Sequence, residues 1–323
     1  MPVQHATMSK IEAYLNENFT FPPTLSSRIT KIEYASEQFL WLKREDELGP
    51  IAIGSKNRKI EVLRSYCSKH QIEKLLIEGS QYSNFVLAAL ILCKELQMDY
   101  HLFLHHDKRK APKGQAFWIQ ELAAEDKISY LPFGAAKAAM KKHQKTSPLK
   151  CFLVEEGFKQ LEGFWAGCHL GLELATQISP ETDALFFDAG TGVTAMGALF
   201  ALWPQIDTNN LAAQVHLIAG DADSFQKDFT HLATLASREL GLAEKGNMPE
   251  IHFSFPPTAK SFGAVNSTTK AFLLEIFHKY GILLDPIYGV KHLMTTFQTL
   301  SVQNYQKPLC VLNTGPFGLQ GFY

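Results

Sequence analysis

Short apolar runs alternate with amphipathic stretches along most of this chain. Residues 74–77, 100–104, 149–154, 184–187, 215–219 and 309–312 are apolar nearly throughout. A strand covered on both faces reads this way, because neither row of its alternating side chains meets water. Between these runs, segments 59–70, 83–96, 161–177 and 194–202 carry their apolar residues at helical spacing. Strand–helix alternation predicts parallel sheets and an α/β architecture. Residues 107–115 are polar with Lys, Gly and Pro, and Pro256-Pro257 breaks the pattern again, so both read as loops. No Gly/Ser linker, low-complexity segment or internal repeat divides the chain. Two interleaved domains, with the chain crossing between them more than once, would leave no clean linker.

Composition narrows the classes. A chain of 323 residues, 46% of them hydrophobic, is long enough for two ordinary domains and a sizeable core. Lys and Arg number 31 against 32 Asp and Glu, which gives no electrostatic case for nucleic acid or a membrane surface. The basic clusters at 108–110 and 141–145 read as solvated faces. The cysteines Cys67, Cys93, Cys151, Cys168 and Cys310 are scattered and form no CxxC pair. That argues against a disulfide framework or a zinc site and for a reducing compartment. Residues 1–11 contain no apolar leader segment, and the longest apolar run, 85–93, falls short of the ~20 residues that cross a bilayer. A cytoplasmic location is the expectation.

Candidate chemistry comes from a few local patterns. Gly54-Ser55-Lys56-Asn57-Arg58-Lys59 leads into a helical segment with Ile60 and Leu63 on its apolar face. A helix N-terminus and neighbouring cations both favour the neutral amine on Lys56, and only the neutral amine attacks an aldehyde. A basic loop in solvent is the plainer reading. Ser83, after Gly79-Ser80-Gln81-Tyr82, suits an ordinary helix N-cap. Asp188-Ala189-Gly190-Thr191-Gly192-Val193-Thr194 joins a strand to a helix, where converging N–H groups and the helix dipole make an anion site. A tight connection is the alternative there, and a strand-end turn is the alternative for Leu312-Asn313-Thr314-Gly315-Pro316. His105, His106 and Asp107 suggest a metal site only weakly. Adjacent strand residues face opposite ways, and no second cluster has ligand spacing, so no metal is expected. Phe164, Trp165 and His169 lie in an apolar helical segment and read as packed core residues.

Taken together, these segments resemble the 1-aminocyclopropane-1-carboxylate (ACC) deaminase / D-cysteine desulfhydrase family of fold type II pyridoxal-phosphate (PLP) enzymes, which resemble the tryptophan synthase β chain. The resemblance runs from about Lys43 to the C-terminus. Lys43-Arg44-Glu45-Asp46 matches the family's Lys-Arg-Glu-Asp, and the Lys56 segment matches Gly-Gly-Asn-Lys-x-Arg-Lys-Leu-Glu, with Ser55 in place of Asn. It implies that Lys56 holds PLP as a Schiff base and that Lys59 reaches the phosphate. Ser83-Asn84 stands at the family's spacing from the lysine. The match puts Asn84 on the cofactor's ring oxygen and Ser83 beneath the substrate. Gly190, Thr191, Gly192 and Thr194 match a phosphate cup; Val193 departs, yet offers its N–H if its φ is negative. Thr314 is implied to face the pyridine nitrogen, and Tyr288, in Asp285-Pro286-Ile287-Tyr288-Gly289, to contact the substrate or leaving group.

Other positions depart from the family. Gly289 stands where ACC deaminases carry Glu and desulfhydrases Thr, and Phe262 where ACC deaminases carry Tyr. Phe158 and Lys159 replace the end of a Pro-Glu-Gly-Gly-Ser loop that borders the substrate. The changes at Gly289 and Phe262 speak against ACC ring opening. A hydroxyl rather than a carboxylate at the pyridine nitrogen suits elimination, in which charge leaves promptly with a β-substituent. The resemblance therefore implies a PLP-dependent lyase acting on a small amino acid by α,β-elimination, releasing ammonia and a 2-oxo acid, with D-cysteine as leading substrate. ACC deaminase proper and a catalytically degenerate PLP-binding paralogue are the alternatives. A homodimer is expected. So are two three-layer α/β domains with mostly parallel sheets and the cofactor in the cleft between them. The larger domain would hold residues 1–53 and 164–323, the smaller 54–163.

Overall fold

The computed structural model describes residues 2–49, 54–105, 114–209, 211–242 and 249–314. The strands are β1 (Ile29–Ala35), β2 (Gln38–Lys43), β3 (Lys74–Ser80), β4 (Asp99–His105), β5 (Ile128–Leu131), β6 (Cys151–Val154), β7 (Ala184–Ala189), β8 (Ala212–Leu217), β9 (Ile251–Ser254) and β10 (Pro308–Val311). The α-helices are α1 (Pro2–Asn18), α2 (Lys56–His70), α3 (Asn84–Glu95), α4 (Gln115–Leu122), α5 (Ala136–Thr146), α6 (Leu161–Gln177), α7 (Val193–Asn209), α8 (Ala222–Glu239), α9 (Ser267–Tyr280) and α10 (Gly289–Val302).

Two sheets result. One has four parallel strands in the order β5-β4-β3-β6. The other has six, β1-β2-β10-β7-β8-β9, all parallel except the β1–β2 hairpin at its edge. The α/β class and the mostly parallel sheets expected from the pattern are what the chain forms.

Coverage of both faces explains the unbroken apolar runs. In β7, Leu185, Phe187 and Ala189 join the core that includes α6, α7 and α8, whereas Ala184 and Phe186 join the cluster under α9 and α10. In β3, Leu75 and Ile77 pack with residues of α2 and α3, and Leu76 packs with Phe103, Ala136 and Met140 beneath α5. Each sheet is thus the middle of three layers, and a strand there has no water-facing row to make polar.

Differences from the sequence reading lie at element ends. β3 runs on through Gly79 and Ser80, because they pair with Leu104 and His105 of β4. The helix expected from 59 begins at Lys56 itself. α7 continues past Leu202 to Asn209, through Pro204. The expected loop at 107–115, with His106 and Asp107, lies almost wholly outside the described residues, as do Gly315 and Pro316. Gln115 opens α4. No described helix is long and apolar enough to cross a membrane. Among the described residues, no group of three or more His, Cys, Asp or Glu is arranged to hold a metal ion.

Candidate active site

In parallel sheets, ligand sites form beyond the C-terminal ends of the strands. Here the ends of β3, β6, β7 and β10 bring their following turns to the first turn of α2. Lys56 is the first residue of that helix. Its Nζ donates a 2.8 Å hydrogen bond to Thr314 Oγ1, just beyond β10, and lies 5.5 Å from the centroid of the Tyr288 ring. Burial pushes the amine below its ordinary lysine value, opposed by Asp188 and Asp285. A hydroxyl partner adds no counter-charge, so the net effect favours a neutral, nucleophilic amine.

Beneath the lysine is a buried ionic network that the sequence reading noticed only as a matching tetrad. Arg58, fully buried, donates to both Glu45 oxygens at 2.7 Å and to Glu173 Oε2 at 2.6 Å. Lys43, also fully buried, bonds Glu173, the Ser27 carbonyl (2.6 Å) and Gln177 (2.6 Å). Glu173 is held down to about 2 by Arg58 and Lys43 against the effect of its burial. These contacts join β2, α2 and α6, so the turn bearing Lys56 and Lys59 is anchored by buried charges. His169 completes the network: an arginine can only donate, so its Nδ1 accepts from Arg58 Nη1 at 2.5 Å. Phe21 stacks on the same ring at 3.8 Å. Phe164 and Trp165 are core residues, as expected.

Lys59 turns toward the other end of the site. Its Nζ donates to the Gly157 carbonyl at 2.8 Å and lies 5.9 Å from the Phe85 ring centroid. Burial, helped by Lys56, lowers it to about 7. Gly157 in turn abuts the Gly/Thr turn: a Cβ there would meet Thr191 Cγ2 at 2.5 Å. Val193 opens α7 in helical conformation, so its φ is negative and its N–H is among those at the helix N-terminus. Thr194 follows it, half-buried. Gly192 takes a left-handed φ of +81°.

Phe158 is fully buried and stacks on Phe85 with ring centroids 5.5 Å apart. Its backbone takes a left-handed φ of +61°. Lys159 pairs with Asp228 of α8 at 2.5 Å.

Ser83 is the N-cap of α3, its Oγ accepting from Val86 N at 3.3 Å, and Asn84 is the first helical residue. Tyr288 stands across the site. Gly190 exists as glycine because a Cβ there would lie 2.9 Å from Tyr288 Cε1. Asp285 orients the tyrosine by accepting from the backbone N–H groups of Ile287, Tyr288 and Gly289 at 2.6 to 2.9 Å. Burial raises Asp285 to about 6 despite those bonds. Burial also raises the Tyr288 phenol, which therefore stays protonated. Phe262 is half exposed and meets the Tyr288 ring edge-on at 5.9 Å. Asp285, Asp188 and Asn313 were not singled out from sequence; only the Asp-Pro turn and the residues flanking two matched segments hinted at them.

These groups fit PLP. Lys56 and Lys59 carry amines for which no ion pair with a carboxylate exists among the described residues, and their partners are a hydroxyl and a carbonyl. Lys59 bonds the carbonyl of Gly157, which abuts a glycine-bearing turn at a helix N-terminus, a place suited to an anion. Lys56 offers an amine of lowered proton affinity, as an aldehyde requires.

No family model matches the chain. It is 24% identical over 272 residues to the bifunctional D-cysteine desulfhydrase/1-aminocyclopropane-1-carboxylate deaminase, mitochondrial, of Arabidopsis thaliana. That alignment covers 78% of this chain and 65% of the plant protein, so the chain spans somewhat under two thirds of that relative's length. Its fold is similar to that of an ACC deaminase homologue of known crystal structure, with TM-score 0.82, 20% identity, and 97% and 96% of the two chains covered. The O-acetylserine dependent cystathionine β-synthase of Helicobacter pylori is similar at TM-score 0.62 and 12% identity, over 92% and 95%. The fold type II architecture and the resemblance drawn from the motifs are therefore both supported by relatives of that kind.

Proposed function

We propose that the chain is a PLP-dependent lyase of the D-cysteine desulfhydrase kind, removing a β-substituent from a small amino acid and releasing ammonia and a 2-oxo acid. The observation that carries this reading is the placement of Lys56 between Thr314 and Tyr288, with Lys59 on the Gly157 carbonyl that abuts the 190–194 turn. Lys56 would hold the cofactor. Lys59, Gly190, Thr191, Gly192, Val193 and Thr194 would receive its phosphate, with Asn84 at the ring oxygen and Thr314 at the ring nitrogen. When bound, PLP supplies the electron sink for carbanion chemistry.

The chain's own groups then have separate tasks. Lys56 Nζ, its proton affinity lowered by burial, takes up and returns a proton within the cleft. Ser83 Oγ already accepts from Val86 N, which leaves its hydroxyl proton to donate toward the substrate. Tyr288 remains a phenol and donates its proton to a departing group. Asp285 holds Tyr288 in place through the backbone. A division into residues 54–163 and the remainder, a homodimer and a cytoplasmic location belong to the same reading and rest on the resemblance.

One observation favours a second reading, a PLP-binding relative without turnover: Gly289 presents only its N–H, and that group is taken by Asp285. One experiment separates the two. The purified protein is mixed with PLP, then with D-cysteine, L-cysteine or ACC. Borohydride labelling at Lys56, with pyruvate, sulfide and ammonia formed from D-cysteine, is the expected result, and Lys56→Ala is the control. Labelling with no product from any amino acid selects the second reading. Formation of 2-oxobutyrate from ACC selects a deaminase. No label at Lys56 overturns all three.

A further inference from the structure

Asp188 is a buried carboxylate for which the tasks above have no use. It lies near the C-terminal end of β7, two residues before Gly190, and is 8% exposed. Burying a carboxylate is unfavourable unless hydrogen bonds and opposite charges compensate. Asn313, itself buried, donates from Nδ2 to Asp188 Oδ1 at 2.5 Å. The same asparagine is tied to the lysine helix, because its carbonyl accepts from Ser55 N at 2.9 Å. The next residue, Thr314, receives the Lys56 amine. One asparagine thus joins the end of β7, the end of β10 and the start of α2, three segments far apart in sequence.

We propose that Asp188 is a positioning residue for Lys56, acting through Asn313 to seat Thr314 against the lysine amine while keeping a negative charge in the same pocket. The inference rests on the reading of Lys56 as the cofactor lysine. The charged and titratable groups facing Asp188 are Lys56 and Lys59 from α2, Tyr288 from the start of α10 and Cys310 from β10. Asp285 also acts on Lys56. Burial raises both acids, and in their ionised forms both favour the protonated amine. Removing one lets the neutral form persist to lower pH.

The test follows capture of PLP by the apoprotein across pH, reading the visible absorption band and the borohydride-fixed label at Lys56. Asp188→Asn keeps the shape and removes the charge. It is expected to move the capture midpoint by about one unit toward lower pH, the size of effect a neighbouring opposite charge produces. Asn313→Ala keeps the carboxylate and cuts the tie to β10; it is expected to slow capture several-fold. An unchanged midpoint in folded Asp188→Asn overturns the inference. If that variant does not fold, Asn313→Ala decides: slowed capture supports the inference and wild-type capture overturns it. Wild-type protein with no label at Lys56 sinks the cofactor reading and the inference together, a result distinct from either variant's failure.

Discussion

Lys56 and Thr314, joined by a 2.8 Å hydrogen bond, come from opposite ends of the chain: one opens the helix after the first sheet strands, the other lies just beyond the last described strand. The threonine orients the amine without adding charge. Thr314→Val removes the hydroxyl and keeps the branched shape. A lost hydrogen bond of this kind costs about 0.5–1.5 kcal/mol. The expected outcome is a folded protein that captures PLP up to about tenfold more weakly, measured by titrating the visible band.

Lys59 sets a pH dependence whose sign follows from its burial. Its value in the folded chain is about 7 against an ordinary 10.5. Between those values the unfolded chain holds more protons than the folded one, so stability rises with pH across this window. Below about 7 the penalty is present in full. Inorganic phosphate bound beside the amine favours its charged form. Thermal unfolding of apoprotein should therefore shift upward from pH 7 to 10, and added phosphate should flatten that slope. Lys59→Met should keep a shallower slope, the part due to the other buried lysines such as Lys56, and phosphate should no longer change it; an unchanged slope would show that Lys59 is not responsible.

Phe158 combines a left-handed backbone with a fully buried ring. Relief of such backbone strain by glycine is worth about 1–3 kcal/mol. Loss of a buried phenylalanine costs about 3–5 kcal/mol. The second effect is larger, so Phe158→Gly is expected to destabilise the protein, and Phe158→Ala, which keeps most of the strain, to destabilise it more. Urea unfolding of the two variants checks the order.

Arg58 is the shared partner of two carboxylates, Glu45 and Glu173, in a place closed to water. Replacing one member of a buried ion pair strands the other, at a cost of about 3–5 kcal/mol. Arg58→Met is expected to lose stability on that scale and to weaken PLP capture as well, because the turn carrying Lys56 and Lys59 loses its anchor. Asp228→Asn, at the exposed Lys159 pair, is the contrast: exposed pairs contribute about 0–1 kcal/mol, so little change is expected in denaturant midpoint or capture.

Much of the fold could be read from sequence where one strong signal dominated. The runs that became β3, β4, β7 and β10 are apolar on both rows because helices cover both faces. The β1–β2 hairpin was missed because β1 is a partly exposed antiparallel edge strand and both strands mix polar with apolar residues. β5 and β9 are four-residue strands whose pairing comes from their neighbours. In the site, residues set by local chain geometry were legible: a lysine opening a helix, a serine capping one, and a glycine turn before a third.

What the sequence determined alone is the set of local chemistries, because N-caps, glycine turns and strand periodicity depend on neighbours within a few positions. Only the tertiary structure decided which of them meet. It paired Lys56 with Thr314, sent Lys59 to Gly157, turned Phe158 inward onto Phe85, and tied Asp188 to Asn313. Those contacts span many tens of residues or more. They depend on strand order and on the desolvation of charged groups, which no short window of sequence contains.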